Sequence, residues 1–441
     1  MTSSELFSPI FVAPALRAAV SDRAWLQAML DFEAALAAAE AEAGVIPAEA
    51  AQAIAAACRA ESFDAAAIGA AGRGAGNPAA PLVSALTEAV GGEAAGYVHW
   101  GATSQDVTDS AAMLIASRAL ELVGAELDGM AAGCAALAER HRDTPMVART
   151  LMQQALPTTF GLKAAGWLVG VLGARARLAE LRGRLPAQFG GAAGTLAPLG
   201  DRGAAIAEDV ATRLGLAVPA LPWHTDREPV AELGSALALA AGALEKLALD
   251  VVLMSQTEVG EVAEPAGEGR GGSSTMPQKR NPVGSALAIA CARRVRGAAG
   301  VLLAAMAQEH ERAAGAWQSE WEPLGEALAL TGGAAAHMRE VVEGLEVRPD
   351  RMLANLGASG GQTQAESAMF ALAGELGRSE AKRVVAEASQ QGGELGDALK
   401  AGQAGQLLSE EEIDRALDPT AYLGSAAAFV DRALRLYRGI K

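Results

Sequence analysis

Aromatic side chains are scarce: eight Phe, six Trp and three Tyr make up 4% of 441 residues, although apolar residues as a whole reach 51%. The gap is filled largely by alanine, the strongest helix former and too small to fill a core unless helices approach closely. Alternating runs of Val, Ile and Thr are nearly missing too, which argues against a parallel sheet and a nucleotide-binding fold. Cysteine is rarer still. Cys58, Cys134 and Cys291 form an odd count at wide separations, so a reducing cytoplasm is expected, without a disulfide framework, and the thiols are read as packing groups. His141, His224, His310 and His337 are too scattered for a metal site, and the acidic residues show no spacing typical of zinc or calcium ligands.

Positive charge is also in deficit. Lys and Arg number 36 against 52 Asp and Glu, and the net charge of −16 repels polyanions. Nucleic acid and anionic membrane surfaces are therefore not expected as partners, and an anionic substrate must meet locally clustered cations. The most apolar stretch, Ala236 to Met254, is interrupted by Glu245, Lys246 and Asp250 and reads as a core helix, not a membrane span. Met1 to Ala13 contains Glu5 and Pro9 but no basic segment leading into an apolar run, so no secretory signal is expected.

At this length two or three domains, or one very elongated bundle, are expected. Ser110 to His141, Ala231 to Ala263 and Pro282 to Arg312 have almost no proline and predict unusually long helices, joined by Leu156 to Arg184 and Pro323 to Leu345. A helix of about 30 residues spans roughly 45 Å, which suggests a bundle whose apolar faces are buried between subunits. Breaks rich in Gly, Pro or Asp fall at Asp143 to Pro145, Phe189 to Gly200, Pro219 to Pro229 and Gly267 to Pro277. The expected architecture is an all-α, elongated three-domain subunit: residues 1–109, a central long-helix bundle over 110–346, and a smaller helical domain over 347–441. Chemistry is expected at the breaks.

Three segments carry polar groups suited to catalysis. Gly269 to Pro282 reads Gly-Arg-Gly-Gly-Ser-Ser-Thr-Met-Pro-Gln-Lys-Arg-Asn-Pro. Its glycines let backbone amides approach a ligand, Lys279 and Arg280 bring positive charge, and a serine among such donors can act through its alkoxide. A flexible basic loop is the plain alternative. His99 to Ser110 supplies His99, Thr103, Ser104 and Gln105 as compact hydrogen-bond groups for carboxylate oxygens, while Asp106 and Asp109 read as caps for the helix that follows. His99 is assigned to substrate binding. In the third segment, Arg149 and Gln153 lie four residues apart, one turn if the stretch is helical, so both would face one cavity.

The string Gly272 to Pro282 resembles the signature of the fumarase/aspartase superfamily, and the His99 and Arg149 segments fall at the order and spacing that superfamily shows. Further marks are Ser21-Asp22-Arg23 before Asp31 to Leu36, Pro222 to Thr225, Gln308 to Arg312 and Tyr422-Leu423-Gly424. The resemblance covers nearly the whole chain. It implies a helical homotetramer whose active sites are shared between subunits, acting on a small polycarboxylate. It also implies Ser273 as the catalytic proton-transfer residue, with Ser274 as its competitor, and Lys279 and Asn281 as a substrate-binding pair. Thr103, Ser104 and Gln153 become carboxylate binders, and Arg149, Arg227 and Arg312 anion contacts.

One departure narrows the chemistry. Amine-releasing and purine-pathway relatives typically read Arg-Thr-His in the third segment, whereas this chain has Leu151 at the histidine position. An amine or hydroxide leaving group benefits from a general acid; a carboxylate, whose acid has a pKa near ~4, leaves unaided. An intramolecular, lactonising addition of a carboxylate to a double bond is therefore expected, with neither metal nor cofactor needed. The alternatives are an adenylosuccinate-type lyase releasing fumarate and an inactive structural relative. A second departure, Ser359-Gly360-Gly361-Gln362-Thr363-Gln364, is either a surface loop or a segment reaching the active site and altering the preferred acid, for example to a sulfonated muconate.

Overall fold

A computed structural model describes residues 4–265, 267, 271, 272, 276 and 278–440. Eighteen α-helices and two small two-stranded sheets occur among the described residues. Six helices exceed twenty residues: α1 (Asp22–Glu42), α2 (Ser104–Arg140), α3 (Phe160–Arg182), α4 (Glu228–Met254), α5 (Val283–Ala304) and α6 (Trp321–Glu343). The chain forms two compact units, 1–128 with 173–245 and 287–337, and 129–172 with 246–286 and 338–441. Residues 1–109 lie within the first and 347–441 within the second, while the stretch between is shared out by cuts that fall inside the long helices.

The long helices lie where the alanine-rich, proline-poor runs place them, with several revised ends, among them the start expected at Leu156, which falls at Phe160. The helix expected from Ser110 starts at Ser104, because the Asp106 carboxylate reaches back to the backbone N–H of Thr103 at 3.0 Å and caps the first turn. The helix expected to reach Ala263 stops at Met254, ahead of the left-handed Gly260, and Val262–Ala263 becomes a short strand, β3, paired antiparallel with Glu346–Val347, β4. The helix expected to reach Arg312 ends at Ala304, and the backbone beyond it turns through His310 at φ +48°. Alanine does the packing inferred for it: Ala28, Ala111, Ala240 and Ala335 are completely buried, which lets neighbouring helix backbones come close. The three thiols are buried and unpaired, and loss of solvent pushes Cys134 up to about 12.

The polar 359–364 segment is not a loose surface loop. Gly360 and Gly361 adopt left-handed conformations, Gln362–Gln364 forms a 3-10 turn, and Thr363 and Gln364 are buried. The carbonyl of Gly360 accepts from the Leu395 N–H at 2.8 Å, tying the turn to a small core of Leu372, Val384, Val385, Leu395, Leu399 and Ile413. Among the described residues no helix is long and apolar enough to cross a membrane.

Candidate active site

In the first unit the polar run after His99 is anchored by one carboxylate. Asp106 is fully buried and accepts from Thr103 N (3.0 Å), Gly190 N (3.0 Å), Gly191 N (2.9 Å) and the His224 ring at Nε2 (2.7 Å). This fixes Thr103 and Ser104, both half-buried, against the Gly190–Gly191 backbone. Gly191 is obligatory: its φ is +69°, and a Cβ would lie 2.7 Å from the carbonyl oxygen of Gly101. His224 is a buried strut between this carboxylate and its own segment.

Arg227 was expected to meet an anionic substrate, and the structure corrects that. The residue is 2% exposed and all five of its N–H donors are taken. They go to Asp109 (2.7 and 3.0 Å), Glu320 (2.6 and 3.1 Å) and the Trp223 carbonyl (3.4 Å). Burial works against its charge, but the two carboxylates hold its pKa above the ordinary arginine value. Asp109 also accepts from the Trp317 indole (2.9 Å) and from the Gln105 amide (3.1 Å), so the aspartate first read as a cap is the centre of a saturated cluster. Arg312 differs. It donates to Gln105 Oε1 (3.1 Å) and to the carbonyls of Ala192 (2.9 Å) and Gly191 (3.4 Å), all uncharged acceptors, so its charge is not cancelled by these bonds.

His99 completes this group. It is largely buried, adopts φ +60°, and its Nδ1 lies 2.6 Å from Glu33 Oε1 on α1. Burial opposes protonation of the ring, yet the charge and hydrogen bond of Glu33, helped by Asp106, raise its pKa above the ordinary histidine value. Glu33 lies within the Asp31 to Leu36 mark but was given no role of its own from the sequence.

In the second unit the third segment is not helical. Pro145–Thr150 (β1) and Gln153–Thr159 (β2) form an antiparallel hairpin in which Arg149 pairs with Gln154 and Thr150 with Gln153. Side chains alternate along a strand, so Arg149 and Gln153 lie on opposite faces of the ribbon and do not share a cavity through helical spacing. Arg149 forms a bidentate bridge to the buried Glu261 (2.7 and 2.9 Å), and Glu261 is held in turn by Asn355 Nδ2 (2.9 Å). Gln153 is exposed beside the turn. The turn itself is Leu151–Met152, with both residues left-handed (φ +49° and +67°) and both exposed, Leu151 to 97%.

Ser273 and Ser274 lie outside the described residues, so the expected proton-transfer group is assigned by its motif alone. The ends of the signature are described. Asn281 N–H donates to the Gly271 carbonyl (2.9 Å), closing the loop, and a Cβ on Gly271, at φ +67°, would lie 2.8 Å from the Asn281 carbonyl oxygen. Lys279 is exposed and Asn281 half-buried. The amides at the start of α5, Gly284 N and Ser285 N, are occupied by the buried Glu264 carboxylate (2.9 and 2.8 Å), so this helix end is already satisfied by the protein.

Residues 11–297 match the family described as Lyase, and residues 361–433 match Adenylosuccinate lyase C-terminus. The chain belongs to the fumarase/aspartase lyase family. It is 50% identical to the 3-carboxy-cis,cis-muconate cycloisomerase of Bradyrhizobium diazoefficiens, covering 98% of each chain. It is 46% identical to the nitrosuccinate lyase of Streptomyces davaonensis, over 98% of this chain and 95% of the relative. The crystal structure of the 3-carboxy-cis,cis-muconate lactonizing enzyme of Pseudomonas putida superposes with a TM-score of 0.93 at 45% identity, covering 98% of this chain and 99% of that one. The mostly helical lyase fold is thereby established, and the enzyme class with it: homologues of this family are cycloisomerases or lyases.

Proposed function

We propose that this enzyme is a 3-carboxy-cis,cis-muconate cycloisomerase, converting the muconate to 4-carboxymuconolactone in the protocatechuate (β-ketoadipate) branch of aromatic degradation. The observation that carries the reading is the hairpin tip. Where an acid-assisted elimination would want an imidazole, the turn holds Leu151 and Met152, neither able to transfer a proton. In the proposed reaction one substrate carboxylate oxygen adds to the conjugated double bond of its own molecule, and negative charge builds on the carbon bearing the neighbouring carboxyl. Ser273 delivers a proton to that carbon. Lys279 and the loop amides stabilise the enediolate-like charge, and binding of nucleophile and alkene in one molecule supplies the proximity term.

His99, Thr103, Ser104, Gln153, Asn281, Arg149 and Arg312 are the proposed substrate contacts. Arg227 leaves that set because its donors are spent. The reading includes a cytoplasmic homotetramer whose active sites draw on more than one subunit, and exposed apolar side chains on the long helices, Val169, Leu239, Leu249 and Leu303 among them, support self-assembly.

A second reading is favoured by the 46% identity to a nitrosuccinate lyase. An elimination whose leaving group departs as a stable anion would ask for no acid at position 151 either. The test offers purified protein 3-carboxymuconate and nitrosuccinate separately and follows the ultraviolet spectrum. The cycloisomerase reading expects the conjugated-diene absorbance to vanish; an unchanged diene with rapid consumption of nitrosuccinate would replace it by the second reading.

A further inference from the structure

Glu33 has no role in the chemistry above, yet it is almost fully buried and its Oε1 lies 2.6 Å from His99 Nδ1. A separation that short marks a charge-assisted hydrogen bond, in which a carboxylate can only accept, so Nδ1 carries the proton. His99 is held in a left-handed backbone conformation, φ +60°, that a residue with a side chain adopts only when its surroundings impose it. Four residues further along the chain begin the half-buried Thr103 and Ser104.

The charges around the ring come from two elements. Glu33 faces it from α1 and Asp106 from the first turn of α2. Glu40, two turns beyond Glu33 on α1, is completely buried with neither carboxyl oxygen hydrogen-bonded. Burial, and then the charge on Glu33, push it up to about 8, so it is mostly neutral at pH 7 and adds little competing charge. The Cys58 thiol is acted on by burial and then by the charges of Glu33 and Asp31, whereas the charges acting on the imidazole are those of Glu33 and Asp106. Glu33 is thus the carboxylate in direct contact with the ring.

We propose that Glu33 is a positioning residue for His99: its carboxylate accepts from Nδ1–H, fixes the orientation of the ring and favours the imidazolium form, in which Nε2–H donates to one carboxylate of the substrate. This rests on the polycarboxylate reading only in its last step. The Glu33–His99 pair is neutral as a unit, so what it supplies is a fixed N–H donor whose geometry does not depend on a long flexible side chain.

The test begins without substrate. Histidine-selective NMR titration of the intact protein is expected to show one of the five imidazoles, identified by its disappearance in His99→Gln, with a midpoint above 6.5. In Glu33→Gln that midpoint is expected to fall by about one pH unit or more, and in Glu33→Asp to recover in part. A wild-type midpoint at or below 6.5, or one that Glu33→Gln leaves in place, overturns the proposal. The wild-type titration decides even if Glu33→Gln fails to fold. With 3-carboxymuconate at pH 7, Glu33→Gln is expected to raise KM about tenfold while kcat changes little; a fall confined to kcat contradicts the substrate-donor role. If wild-type protein ignores the muconate, the functional reading fails while the titration still judges the pairing.

Discussion

Arg227 in the first unit and Arg149 in the second are each bridged to a buried carboxylate, yet they are held in different ways. Arg227 is sealed: every N–H has an acceptor and the side chain is 1% exposed. Arg149 bridges Glu261 through its two terminal nitrogens while its side chain remains 27% exposed. A guanidinium surrounded by carboxylates is part of the scaffold, whereas one buttressed along one edge and open elsewhere can still meet an anion. The same division separates Asp106, which accepts from five donors, from Lys279, which stands in solvent.

The comparison can be sharpened first where the expected effect is largest. Ser273→Ala should lower turnover of the muconate by about a thousandfold or more while substrate still binds, measured by single-turnover kinetics and calorimetry; wild-type-like turnover would remove Ser273 from its role. Next, Arg227→Met should destabilise the fold by about 3–5 kcal/mol, because Asp109 and Glu320 would be left buried without a counter-charge. Arg149→Met should raise KM and cost less stability, because the buried Glu261 loses its bridging counter-charge but keeps the Asn355 amide as a donor. Urea unfolding with KM measured on both variants separates the two, and a stable Arg227→Met protein with a raised KM would reverse the assignment.

A third expectation concerns Glu40. Its pKa, about 8 in the fold, stands above the ordinary value of 4.5, so the unfolded chain releases this proton first as pH rises. The native state binds more protons between those values, and this group therefore makes stability fall from pH 4.5 to 8, by at most about 1.4 kcal/mol per pH unit. Glu40→Gln should flatten that slope in urea titrations run across the window; an unchanged slope would contradict it. The smallest effect is expected at the hairpin tip, where Met152→Gly should stabilise the protein by about 1 kcal/mol by removing a left-handed strain, read as a raised melting temperature.

The long helices were legible because alanine runs without proline announce them, and their revised ends trace to side chains the pattern does not display, such as Asp106 reaching back to Thr103. The hairpin was missed. A six-residue and a seven-residue strand carrying Pro145 and Pro157 give too short an alternation to compete with the surrounding helical signal. Arg227 was misassigned for another reason: its partners lie 118 and 93 residues away, and a cation beside Trp-His-Thr looks the same in sequence whether or not carboxylates enclose it. Lys279 and Asn281 carry their proposed roles through the motif alone. Glu33 was given no role, because its pairing with His99 spans 66 residues.

The most direct test of the proposed chemistry is the reaction run in D2O with mass analysis of the product. Addition of the carboxylate with proton delivery from an exchangeable hydroxyl predicts a lactone carrying one deuteron on the carbon beside a carboxyl group, formed by the wild-type enzyme and not by Ser273→Ala. Recovery of the open-chain acid unchanged, or a lactone free of deuterium, would contradict it.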